Sequence, residues 1–217
     1  MKRFIALALC GAVLAACGDD NGTGPSGNPV GSISIAPDSA RTGATVLKGD
    51  SLALAVTLLG AQGDTLSPSG RQISYTSSDE AVATVSGTGM IRAVAAGTAT
   101  ITVTSEGKSA DAKITVPWTL AQVNGQNLPA TVPIPGGDSL VVTGGTLALH
   151  ADGRYRAVVD IDGSAPSVDT GSYVRNGSQI TFTSDTPGVT MGTAEQTSSA
   201  LTLTIPGPPE TILVYSP

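Results

Sequence analysis

The tetrapeptide Gly-Asp-Ser-Leu stands twice in the chain, at residues 49–52 and at residues 137–140. Each copy sets a serine hydroxyl, Ser51 or Ser139, beside a carboxylate. A serine becomes a nucleophile only when a base within hydrogen-bond reach takes its proton and a third group orients that base. The one histidine in 217 residues is His150, eleven positions after Ser139 and in an adjacent expected strand. Asp160-Ile161-Asp162-Gly163 offers two carboxylates two residues apart, but a calcium loop needs more oxygen ligands at set spacing and a closing glutamate. It reads as a turn after a strand. After residue 17 the sequence has no cysteine, and it has no histidine cluster, phosphate loop or His-Glu-x-x-His. No catalytic residue, metal site or cofactor is assigned, and the chain is expected not to be an enzyme. Arg154, Tyr155, Arg156, Tyr173 and Arg175 concentrate the side-chain types favoured at binding hot spots. They equally suit two hairpin strands with solvated arginines.

Gly-Asp-Ser-Leu also names a family of serine esterases. That family needs its serine at a strand-to-helix turn and an aspartate shortly before a C-terminal histidine. Neither copy here is followed by a helical pattern, and His150 is not placed as such a base. Asp50 and Ser51 suit a turn, and Leu52 begins an apolar stripe.

Only 13% of the chain is charged and 3% is aromatic. Gly, Ser, Thr, Val and Ala dominate, a composition that favours pleated strands over long helices. Apolar periodicity of 3.6 residues is absent after residue 16, so the fold class expected is all-β. The formal charge is −6, and −8 once Lys2 and Arg3 are set aside. Such an acidic chain lacks the basic stripe that nucleic acid requires.

The N-terminus, MKRFIALALCGAVLAAC, has a positive start and a 13-residue apolar run from Phe4 to Ala16, too short to span a bilayer. Leu14-Ala15-Ala16-Cys17 resembles the lipobox of bacterial lipoproteins. The resemblance implies cleavage between Ala16 and Cys17 and a lipid on Cys17, which would anchor the protein to a membrane. Residues 1–16 would be the signal peptide and 17–30 a lipidated cysteine with a flexible tether. Residues 18–30 are rich in Gly, Asn, Ser and Pro and would span roughly 20 Å. Gly18 in place of Asp resembles an outer-membrane address.

From 31 to 116, short alternating runs follow one another. SLALAVTLL (51–59) sets Leu52, Leu54, Val56 and Leu58 on one face, and TATITVT (98–104) turns Ala, Ile and Val inward. RQISYTS, AVATVS, MIRAVA and ADAKITV continue the pattern, with a hairpin at Gly87-Thr88-Gly89. Period two with one buried face fits a two-sheet sandwich. The run SYTSSDEAVATVSGTGMIRAVAAGTATITVTSEGKSADAKITV closely resembles the bacterial Ig-like group 2 domain, with Ser77-Ser78-Asp79, Val82-Ala83-Thr84-Val85 and Ala96-Gly97-Thr98-Ala99 in its core motif. Tyr75 stands where members often carry Trp. The resemblance implies an Ig-like sandwich that serves as a spacer in surface proteins and adhesins.

Residues 117–217 are punctuated by turn signals at Asn124-Gly125, Pro135-Gly136-Gly137, Gly144-Gly145, Ala151-Asp152-Gly153 and Asn176-Gly177. Eight or nine short strands between them suggest a small antiparallel up-and-down β-barrel. WTLAQVNGQNLP, GTLALHADGRYR and GSYVRNGSQITFTS resemble small lipocalin-like barrels of exported bacterial proteins. The interior is either filled by side chains or lined as an apolar cavity by Val141, Leu147, Val158, Ile180 and Leu203 or their strand neighbours. Two functions follow. One is a lipid-anchored cell-envelope protein, its expected address the outer membrane, whose Ig-like spacer presents the barrel to a surface polysaccharide or protein. The other is a periplasm-facing carrier with a small apolar ligand in the barrel.

Overall fold

The structure, a computed structural model, describes residues 28–36, 43–134 and 136–217. Ala16 and Cys17 lie outside the described residues. Every helix or strand among the described residues is a strand, as the Thr- and Val-rich composition dictates. The first ten are β1 (Val30–Ala36), β2 (Ala44–Thr45), β3 (Ser51–Ala53), β4 (Ala55–Gly60), β5 (Thr65–Leu66), β6 (Ser74–Ser77), β7 (Ala83–Val85), β8 (Met90–Ala93), β9 (Gly97–Ser105) and β10 (Lys108–Val116). They form three sheets, in orders β1-β4-β5, β2-β10-β9-β6 and β3-β8-β7. All pairings are antiparallel except β2 with β10.

The inward positions of β9 and β10 carry the core. Ile101, Val103, Ala112, Ile114 and Val116 are at most 1% exposed and cluster with Leu54, Val82 and Ile91 from the rest of the sandwich. The threonines of β9 between them are only half-buried, which is the alternation expected, whereas Thr115, between Ile114 and Val116, is itself buried. The stretch 51–59 differs from expectation: it is not one strand. It breaks at Leu54, so that β3 pairs with β8 and β4 pairs with β1 in another sheet. Burial still alternates across the break, because the chain changes partner without changing face.

The chain enters this sandwich at the β9–β10 turn. The Val30 N–H donates to Glu106 Oε2 at 3.0 Å. Arg71 donates through Nη1 to Glu106 Oε1 at 2.5 Å and through Nη2 to the Asn28 carbonyl at 2.7 Å. The Asn28 side chain donates to Asp64 Oδ2 at 2.8 Å. Since β10 runs away from that turn, Val116 leaves at the opposite end.

Pro117 alone separates β10 from the next strand. The remaining strands are β11 (Trp118–Val123), β12 (Gln126–Asn127), β13 (Ala130–Pro133), β14 (Ser139–Leu149), β15 (Arg154–Ile161), β16 (Ser167–Asn176), β17 (Gln179–Ser184), β18 (Thr193–Gln196), β19 (Leu201–Ile205) and β20 (Thr211–Ser216). From β14 to β20 each strand pairs with the next, β20 pairs with β11, and β11 pairs with β14. The result is a closed antiparallel barrel of eight strands, with β12 and β13 as short additions. Closure removes the exposed edges that an open sheet would present.

Three local expectations are corrected. SLVVT and TLALH are one strand, β14, running straight through Gly144-Gly145. A β-carbon on Gly145 would lie 2.4 Å from the Val158 carbonyl oxygen, so the glycine allows a close strand approach rather than a turn. The hairpin after Asn176 is shifted by one residue. Asn176 pairs with Gln179, leaving Gly177, at φ 62°, and Ser178 in the loop. Glycine first in a two-residue hairpin loop is the type II′ preference. Val141 and Val158 are not part of the interior cluster, whereas Leu147, Ile180 and Leu203 are fully buried in it. Val158 lies between Thr146 and Val168 on the outer face, and the inward neighbours Ala157 and Val159 take its expected place.

Candidate functional site

Ser139 is the first residue of β14 and His150 follows its last, so the two stand at opposite ends of one strand. Eleven residues at ~3.3 Å each separate them by more than 30 Å along the strand, far beyond hydrogen-bond reach. Ser51 is exposed at the start of β3 in the sandwich. His150 Nδ1 is instead 3.2 Å from Thr115 Oγ1, across the junction between sandwich and barrel. Asp162 is exposed in the turn after β15, and Asp160 lies half-buried in that strand. Among the described residues no group of three or more His, Cys, Asp or Glu side chains is close enough to hold a metal ion.

The arginine–tyrosine concentration is divided by the wall of the barrel. Tyr155 is 2% exposed and packs edge-on against Phe182, with ring centroids 5.1 Å apart. Tyr173 is partly buried and donates to the His150 carbonyl at 2.8 Å. Arg154 pairs with Asp185, while Arg156 and Arg175 face solvent. His150, Arg154, Tyr155 and Arg156 do meet around a shallow outer hollow of about 280 Å³. Its aromatic member is committed to the interior.

A different hollow, of about 230 Å³, opens at one end of the barrel. Strand direction fixes which end. β15 runs from the His150–Gly153 hairpin towards Ile161, and β16 returns from Ser167. Ser167, the segment Val189–Met191 and Ile205 all border the hollow. They lie at the end away from Trp118 and the sandwich. Ala157, Val159, Leu213 and Tyr215 supply its apolar floor. The remainder of the interior is packed with Trp118, Leu147, Ile180, Phe182 and Leu203, so the barrel is filled at the junction end and hollow at the far one.

Two residues bordering this hollow carry polar groups. Asp169, on the inward row of β16, accepts from Tyr155 Oη at 2.5 Å and from Ser184 Oγ at 2.6 Å. Burial, then the bond to Asp169, pushes the Tyr155 hydroxyl above its ordinary pKa, so it stays a neutral donor. Tyr215 is completely buried, its hydroxyl has no hydrogen-bond partner among the described residues, and burial pushes its pKa up as well. The sequence reading missed Asp169 and Tyr215. Asp169 carried a signal, for it shares its parity along the strand with Tyr173, an acid among inward-facing positions.

Comparison with known proteins bears mainly on the sandwich. No curated protein matches the chain. Solved structures that resemble it include the S-layer protein rSbsC(31-844), at 17% identity and a TM-score of 0.35, covering 83% of this chain and 26% of that one. Another is the S-layer protein SbsC, domains 5-6, at 18% identity and a TM-score of 0.35, covering 87% of this chain and 85% of that one. The chain thus spans about a quarter of the first of these structures. The family model of the bacterial Ig-like domain (group 2) matches residues 29–116, and the sandwich at these residues makes this part of the chain an Ig-like domain of that group.

Proposed function

We propose that this is a non-enzymatic cell-envelope protein, lipid-anchored through Cys17, in which the Ig-like domain is a spacer that presents the barrel. The observation that supports it most is the serial layout. The chain enters the sandwich beside Glu106, leaves at Val116, and passes through Pro117 alone into the near end of the barrel. An anchor before residue 28 and an interacting surface on the far side of the barrel would then be held apart by two rigid β units. The lipobox Leu14-Ala15-Ala16-Cys17 supports the anchor, since stable attachment needs more than one buried acyl chain.

Fractionation of cells carrying the wild type and Cys17→Ser tests this reading. The wild type is expected in the membrane fraction and the variant in the soluble envelope fraction. A wild type that is soluble, or a variant that stays membrane-bound, removes the anchor. Protease shaving of intact cells then separates the faces. Cleavage of the barrel on intact cells supports presentation to surface polymers or proteins, and cleavage only after lysis supports a periplasmic location.

The hollow at the far end of the barrel favours a second reading, a carrier for a small ligand. At about 230 Å³ it falls just below the ~300–1,000 Å³ common for drug-sized ligands, which points to a compact molecule.

A further inference from the structure

We infer that the hollow at the far end of the barrel is a site for a small apolar amine, with its ammonium group on Asp169 and its hydrocarbon part against Val159, Met191, Ile205 and Leu213. This rests on the carrier reading and goes beyond it by fixing the ligand's charge.

The lining sets the class. It contains one ionisable acid, Asp169, and no Lys, Arg or His. A carboxylate offers about four acceptor positions across its two oxygens. The hydroxyls of Tyr155 and Ser184 take one on each oxygen, so both oxygens can accept again. They hold the carboxylate in a fixed orientation, and what they leave open calls for a donor. A ligand carboxylate or phosphate would meet only like charge there. An ammonium brings three donors and the opposite charge, and charge-assisted bonds of this kind are roughly twice as strong as neutral ones.

The other side of the hollow suits an apolar body. Tyr215 borders it, and among the described residues its fully buried hydroxyl has no hydrogen-bond partner. A buried polar atom in that condition is uncommon, because leaving it unpaired costs free energy. Val159, Val189, Met191, Ile205 and Leu213 complete the wall, and Met in particular adapts to varied apolar shapes. Val189 is 44% exposed and stands at the rim, so a compact molecule reaches the floor without unfolding of the barrel.

The test is calorimetric titration of the full chain with hexylamine, hexanol and hexanoate, three probes of one hydrocarbon length and different heads. Hexylamine is expected to bind about tenfold more tightly than hexanoate, in line with the gain from a charge-assisted bond. Asp169→Asn keeps the shape and should abolish that preference. Val189→Trp fills the rim from a half-exposed position, leaves the core intact, and should abolish binding of all three probes. If hexanol or hexanoate binds as tightly as hexylamine, the amine assignment is overturned while the carrier reading stands. If none binds at millimolar concentration, both fall.

Discussion

At Gly171 a β-carbon would come within 2.0 Å of the Thr183 carbonyl oxygen and 2.6 Å of Tyr155 Cε1. The glycine is what lets the Tyr155 ring cross β16 and deliver its hydroxyl to Asp169. Because one obstacle is backbone, the collision cannot be relieved by a rotamer change. Gly171→Ala should destabilise the protein by about 2–3 kcal/mol, the upper part of the range for overpacking, measured by urea unfolding. Tyr155→Phe tests the hydroxyl alone. Asp169 would keep Ser184, so the expected loss is about 1–2 kcal/mol, and an unchanged unfolding midpoint would show that the bond is not formed in solution. Glu106 offers a check by pH. The Val30 N–H is the largest influence, opposed by burial and joined by Arg71, and it holds the Glu106 carboxyl below the usual carboxylate range. A depressed acid stabilises fully above its unfolded pKa of about 4.3. That contribution disappears as pH falls through the lower folded value. Melting curves below pH 5 should therefore be steeper in pH for the wild type than for Glu106→Gln. Asp185, lowered by Arg154, leaves some dependence in the variant.

The elements show where a sequence speaks and where it is silent. Thr-out, Ala/Ile/Val-in alternation was enough to find β9 and β10, since one buried face imposes period two. In the barrel the runs are marked off by the turn signals between them, and at Gly144-Gly145 that punctuation misleads, because the strand runs on through it. Alternation could not find the break at Leu54, because a strand that swaps partners without turning over keeps its pattern. It also misplaced Val141. The register of β14 against β15 shifts between Val142 and Gly144, and a one-residue bulge reverses the face of everything beyond it. Val142 points inward before the bulge, and Leu147 and Leu149 point inward after it. Counting by twos back from Leu147 therefore lands on the wrong side. Val158 was ambiguous for a simpler reason: it sits in an unbroken apolar run, Ala157-Val158-Val159. The hollow was hidden because its walls come from positions between 157 and 215, joined only by barrel closure. Ile101, fully buried at the centre of the sandwich, gives the element-scale test. Ile101→Ala should cost about 2–5 kcal/mol in the Ig-like transition while hexylamine binding to the barrel persists.

Across the whole molecule, sandwich and barrel touch at few places. Thr115 meets His150, the Lys48 ammonium donates to the Pro217 carbonyl at 2.8 Å, and Ala96 packs against the barrel core. Both cysteines, Cys10 and Cys17, precede residue 28, so no disulfide braces the described residues. The melting temperature should accordingly be unchanged by a thiol reductant, and a drop on reduction would reveal a covalent link that this layout does not contain.

The clamp of Asn28, Asp64, Arg71 and Glu106 has a mechanical consequence. Any pull on the segment before residue 28 arrives first at these four side chains and at Val30, before it loads the ladder of β1 against β4. Their bonds are ionic and hydrogen-bonded, so they yield and re-form without chemistry. A molecule held at its leading segment and tugged at its far end would give way first at this latch, and would close it again when the tension drops.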